Sequence, residues 1–529
     1  MRTYDAVVVG GGHNGLVAAA YLARAGWDVL VLERRPQVGG ACVTEELFPG
    51  YRVSTAAYLV SLLQPKIVRE LDLPCYGYQV LPKEPAYFSP LPDNRHFFMW
   101  RDVARTCSEI AKFSTRDAER YPAYEAMLER IARFMEPLLL QSPPNVPPRE
   151  LADWLSLARL GGRTLRLPRA DLAALARMLT GSAAQLVDDW FESEELKVAL
   201  VTDGVIGANA GPRSAGTAYV LLHHQMGGVD GVRGLWGFVK GGMGALSEAI
   251  ATSARAAGAE IRTSAPVARI LARHGIAYGV ALENGQEVHA RVVVSNADPK
   301  RTFLTLVGRN SLPPSFATEV DRFKSEGTSF KLNLALGELP NYTALPGVRQ
   351  GPQHMGTTHI APNVDYVERA WDDAKYGQPS RAPLLEITIP TTYDASLAPP
   401  GKHLMSIFVQ YAPYTLAQGD WRDERERFAD RIVDLLAEYA PNMKTAIEHR
   451  HALSPLDLEE QFGLTGGNIF HGEMSPSQLF FLRPLAGWAR YATPIRNLYL
   501  CGSGTHPGGG VMGAPGHNAA REILRRERV

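Results

Sequence analysis

The chain has 529 residues, enough for two or three domains around a large core. It carries 55 Lys+Arg against 55 Asp+Glu, and 45% of it is hydrophobic. That balance argues against a nucleic-acid partner, which calls for a basic excess, and against disorder. The four cysteines, Cys42, Cys75, Cys107 and Cys501, form no C-x-x-C pair. Dithiol chemistry and zinc ribbons therefore drop out, no metal site is expected, and a reducing compartment fits. No apolar run approaches the length of a membrane span, and the first strand begins near Tyr4. Neither a spanning helix nor a leader peptide is expected, and the cytoplasm is the expected location.

Residues 5–34 read as a strand, a helix and a second strand, a β-α-β unit with Gly10-x-Gly12-x-x-Gly15 at its first turn. Gly10 serves the tight turn, Gly12 admits a pyrophosphate to the backbone, and Gly15 lets helix and strand pack closely. The helix N-terminus presents unpaired N–H groups to phosphate. Glu33 ends the second strand, where an acid accepts hydrogen bonds from a ribose 2′-OH and repels a 2′-phosphate. This unit alone leaves NAD and FAD both open. The next stretch, "ERRPQVGGAC", brings Arg34 and the Gly39-Gly40 pair. Such a pair resembles FAD proteins related to glutathione reductase and the amine oxidases. Many of those carry arginine after the pair, and here the residue is Ala41.

Further along, 108–140 reads as a helix with an apolar stripe from Tyr121 to Leu138, followed by the proline-rich break "QSPPNVPPRE". Residues 151–192 interleave leucines with Arg159, Arg163, Arg166, Arg169 and Arg177. They read either as a helical hairpin with arginines in water or as a basic amphipathic pair touching a membrane surface. "GGMGALSEAIA" opens a small-residue helix, and strands follow through 294, with a hairpin turned at Asn284-Gly285. "SFKLNLALG", "LLEITIPTTYD" and "HLMSIFVQY" alternate as strands of an antiparallel sheet. Lys331 sits on the polar face of the first, as either a cavity lysine or a solvated one.

Four segments, namely 7–41, "GGMGALSEAIA", "GGNIFHGEMSPSQLFFLRP" and "RNLYLCGSGTHPGGGVMGAPGHNAA", together resemble the phytoene-desaturase-like FAD oxidoreductases. That group includes carotenoid desaturases and retinol saturases. Within it the chain most resembles the bacterial relatives of the second type of pyridine nucleotide-disulphide oxidoreductase domain-containing protein. The resemblance implies an α/β fold with a discontinuous Rossmann-like FAD-binding domain and an α+β substrate domain whose sheet is mainly antiparallel. The expected division is 1–75, 236–300 and 466–529 for FAD, 76–235 for a helical and substrate-binding excursion, and 301–465 for the substrate domain.

The same resemblance implies FAD as cofactor, held by Gly10, Gly12, Gly15, Glu33, Arg34, Gly40, Ala41, Val267, Gly502, Ser503, Met512 and Gly513. It implies hydride transfer between flavin and a CH–CH or C=C unit of a hydrophobic small-molecule substrate. Flavin amine oxidation and a mainly scaffolding role stay open beside it. His506, His471 and Lys331 are the candidates for proton transfer. The electron acceptor is open between oxygen, quinone and NAD. No nucleic-acid partner is expected, and peripheral membrane contact and oligomerisation are open.

Overall fold

The structure, a computed structural model, describes residues 2–527. Its first sheet has seven strands. Thr3–Val9 lies between Val29–Leu32 and Glu287–Ser295, parallel to both, and Glu260–Arg262 extends the row beyond Val29–Leu32. These strands carry Val and Leu on both faces because both faces are covered. Helices His13–Arg24, Met243–Ala256 and Ala514–Arg526 bury one face. The hairpin Val267–Arg273/Ile276–Leu282 and the segment 301–322 pack on the other.

Strand Glu287–Ser295 is shared along its length. Its first part pairs antiparallel with Ile276–Leu282, and its last residues pair parallel with Leu498–Leu500. Three separated stretches of chain thus make one sheet. Gly285, at φ +84°, turns the hairpin where the Asn-Gly pair placed it.

The second sheet also has seven strands, in the order 447–453, 329–336, 403–410, 384–388, 357–360, 87–90, 96–99. Phe330, Leu332, Leu334 and Leu336 face helix Trp421–Tyr439, with the Phe330 ring edge-on to Phe428. Lys331 and Asn333 take the opposite face, and they are buried as well. The sheet is therefore covered on both sides, and its polar face looks inward rather than into water.

The structure corrects two expectations. Strands Tyr87–Pro90 and His96–Met99 belong to this second sheet, so the 76–235 excursion is not wholly helical. The helix expected over 108–140 is two helices, Val103–Ile110 and Thr115–Leu139, because Ser114 caps a fresh N-terminus by accepting the Asp117 N–H. The arginine-rich stretch does form a helical pair, Leu151–Thr164 and Arg169–Thr180. Leu151, Trp154 and Leu165 on it are exposed. Among the described residues no helix is long and apolar enough to cross a membrane.

One side chain ties the last hundred residues together. Arg483 is wholly buried. Its guanidinium donates to the carbonyls of Phe470, Gly472, Glu473, Gln478 and Ser503. Its contact with Glu473 is to the backbone oxygen, not to the carboxylate. Burial disfavours the charge, and the ring of carbonyl dipoles supplies what water would. Arg483→Met leaves those five carbonyls short of donors. Denaturant unfolding of the variant should show a loss of about 3 kcal/mol or more, and Arg483→Lys, with three donors, should recover only part of it.

Candidate active site

A cavity of about 340 Å³ runs from the first glycine loop to the second sheet. Gly10, at φ +95°, begins the turn after the first strand. A Cβ on Gly15 would lie 2.3 Å from the Gly10 carbonyl oxygen, so the close packing assigned to that glycine is present. One on Gly12 would lie 2.7 Å from Asn296 Nδ2. Gly39 N–H donates to Gly11 O at 2.8 Å, so the second glycine pair docks on the first loop. Glu33 is buried, and its two oxygens accept from the backbone N–H groups of Gly11 (2.7 Å) and Arg35 (2.9 Å). The acid is thus locked against the loop it serves. Arg34 lines the same cavity, with its guanidinium fixed by the carbonyls of Glu460 and Gln461.

The far wall comes from the other end of the chain. Asn14 Nδ2 donates to Ser503 Oγ at 3.1 Å. A Cβ on Gly516 would lie 2.1 Å from Asn14 O, so the first and last helices meet at their N-terminal turns. Ser503, Gly510 and Val511 line the cavity, as do Gly40, Ala41 and Val267. Gly502, Met512 and Gly513 do not, contrary to expectation. Gly502 is pressed against Asn296 O and His471, Gly513 against Ile67, and Met512 is wholly buried.

Of the three proton-transfer candidates, two reach this cavity. Lys331 is 2% exposed, and its Nζ has no hydrogen-bond partner. It lies 3.4 Å from the centre of the Tyr58 ring, and burial pushes its pKa well below the ordinary lysine value. His471 is held by burial toward its neutral form, with Nδ1 unpartnered. His506 is the correction. Its Nε2 meets Leu138 O at 3.0 Å, and its ring faces a different cavity, under helices 115–139 and 151–164. Gly510, four residues on, lines the first cavity, and the His506 ring turns away from it.

A second cavity, of about 310 Å³, adjoins the first. Ala57, Tyr58, Phe408, Ile469, Phe470, Gly510 and Val511 line both. One row of the second sheet crosses the boundary: Lys331 faces Phe408, Phe408 faces Glu386, and Glu386 faces His359 on adjacent strands. Glu386 accepts from the Tyr58 hydroxyl at 2.6 Å and lies 3.0 Å from His359 Nε2. Burial alone would raise its pKa, but His359 and the hydroxyl outweigh this and hold it at about 2. Lys83, Asp203, Glu125 and His224 also line this second space. Among the described residues no group of three or more His, Cys, Asp or Glu is arranged to hold a metal ion.

The first cavity suits a dinucleotide. His13 Nε2, Asn14 Oδ1, His471 Nδ1 and Lys331 Nζ are buried polar atoms on its lining residues without partners in the protein, matching a ligand rich in phosphate, ribityl and ring heteroatoms. A Rossmann-type sheet, a locked ribose acid and a wall returning from the C-terminus define an FAD-binding flavoprotein.

The flavin-containing amine oxidoreductase model matches residues 15–524, and the chain belongs to that family. It is 43% identical to the pyridine nucleotide-disulfide oxidoreductase domain-containing protein 2 of Rattus norvegicus, over 99% of this chain and 93% of that protein. It is 26% identical to a lycopene-forming phytoene desaturase of Pseudescherichia vulneris, over 96% of each. In fold it resembles the cyclohexylamine oxidase of Brevibacterium oxydans, with a TM-score of 0.57 at 14% identity over 100% of each chain. FAD is the cofactor, and Glu33, Gly12, His13, Asn14, Val267, His471 and Ser503 line the first cavity.

Gly15→Ala drives a methyl group into the Gly10 carbonyl and opens the loop. The purified variant should show a flavin-to-protein absorbance ratio several-fold below that of the parent, with its far-UV circular dichroism retained.

Proposed function

We propose that the protein is an FAD-dependent oxidoreductase acting on a CH–CH or C=C unit of a largely apolar substrate held in the second cavity. The observation that carries this reading is the shared wall: the second space opens along the same seven residues that close the cofactor space. When bound, FAD supplies the hydride acceptor or donor. The chain supplies binding, orientation and a proton site.

Leu59, Leu62, Met99, Leu235 and Trp236 give the substrate apolar walls and keep water from the reacting carbon. Lys331, which lines the first cavity on the cofactor side of that shared wall, is the proposed proton acceptor. It is buried without a counter-ion, so its neutral amine is favoured, and the Tyr58 ring fixes where it sits. In the desaturating direction bound FAD would supply the hydride acceptor, Lys331 would take the proton, and the double bond would form between the two carbons. In the saturating direction the ammonium returns the proton. The likeness to a phytoene desaturase supports an apolar substrate. Amine oxidation is the second reading, supported by Asp203 and Glu125, two carboxyl groups on the same cavity that suit an ammonium.

Anaerobic titration of the FAD-loaded protein decides between them. Bleaching of the flavin band by unsaturable isoprenoid or long-chain substrates supports the first reading, and bleaching only by amines supports the second. Lys331→Met should keep its flavin and slow reduction by about tenfold or more. A base must be unprotonated to act, so the rate should rise with pH through a limb lying below the ordinary lysine pKa. That limb should vanish in Lys331→Met, as followed by stopped-flow flavin absorbance across pH.

A further inference from the structure

The second cavity is not uniformly apolar, and one of its polar groups has spare capacity. Lys83 is 2% exposed and lines this cavity but not the first. Its Nζ donates to Thr357 Oγ1. An ammonium has three donors, and among the described residues no other hydrogen bond and no salt bridge holds it. Glu386, the ionised carboxylate of the same wall, has one oxygen on Tyr58 and the other beside His359. A buried cation with unfilled donors therefore faces a chamber whose one firmly charged anion is already engaged.

We infer that Lys83 anchors an oxygen-bearing end of the substrate, a carboxylate or a carbonyl, inside the second cavity. This rests on the reading of that cavity as the substrate site and adds the chemistry of one end of the molecule. The substrate is then an apolar chain with a polar terminus: the terminus on Lys83 and Thr357, the chain along Leu59, Leu62 and Met99 toward the boundary at Phe408 and Tyr58. A charge-assisted hydrogen bond from a desolvated lysine is stronger than one made in water, so it fixes which carbons lie at the cofactor boundary.

The acids of the cavity fit this picture. Burial raises the pKa of both Asp203 and Glu125, so neither holds its negative charge as firmly as an exposed carboxylate does. Lys83, lowered by burial to about 8 against the pull of Glu386 and Asp203, is still mainly a cation at neutral pH. The chamber favours an acceptor over an ammonium.

The test is a set of flavin difference titrations of the FAD-loaded protein with decanoate, 2-decanone and decylamine, in the parent, Lys83→Met and Lys83→Arg. One or both oxygen compounds should perturb the flavin band at a concentration about tenfold or more below decylamine. Which of the two does so separates a carboxylate terminus from a carbonyl one. Lys83→Met should remove the preference at unchanged flavin content, and Lys83→Arg should keep part of it. Decylamine binding as tightly as the oxygen compounds in the parent, or a preference that survives in Lys83→Met, overturns this assignment alone. No perturbation by any of the three in the parent overturns both the assignment and the substrate reading beneath it. The parent comparison needs no variant, so it stands even if Lys83→Met fails to fold.

Discussion

The buried guanidinium of Arg483 is the constraint on which the cofactor site's far wall depends. A charge without a carboxylate partner survives there because five backbone carbonyls converge on it. The same bonds hold the 470–478 loop, which carries His471, against Ser503. Ser503 in turn bonds to Asn14 in the first turn of the first helix. The chain from Arg483 through Ser503 to Asn14 connects the two ends of the polypeptide across one cavity. Arginine suits this position because its planar fork offers five donors, where lysine offers three from a single point.

The second sheet adds the chemistry by lateral pairing. Lys331, Phe408, Glu386 and His359 sit side by side on four strands, so the spacing of a sheet sets the spacing of the site. Tyr58, from a loop, closes the row: its ring packs against the Lys331 amine and its hydroxyl binds Glu386. A lysine without a counter-ion at one end and a firmly ionised carboxylate at the other are thus held on one rigid surface. Their environments pull the two groups toward opposite charge behaviour, a pattern familiar from sites that move protons.

Much of this was legible in the sequence, and what was legible was local. The glycine spacing and Glu33 are contiguous signals, and so is the alternation that put Lys331 on the polar face of its strand, though not whether that face looks inward. What the sequence did not disclose depends on contacts between distant segments. Strands 87–90 and 96–99 are four residues each, and they become strands through pairing with 357–360 and with each other. Lys83, Asp203, Glu386 and His359 come from separate segments, and no spacing links them. His506 misleads for a related reason. Gly510, four residues on, lines the cofactor cavity, but side-chain direction is set by Leu138 on a helix far away in sequence.

Strand Glu287–Ser295 has a consequence for how the protein comes into being. Its first part finds a partner at once in the preceding hairpin, while its last residues wait for Leu498–Leu500. A chain leaving the ribosome therefore carries an unfinished sheet edge from Ser295 until its final segment emerges, and only then do Ser503, Gly510 and Val511 arrive to close the cofactor cavity. The cavity that holds the cofactor therefore closes only once residues 498–511 have been made. A product shortened by even its last few dozen residues would lack that strand and the closing wall, and would keep an open edge of the kind that recruits other strands.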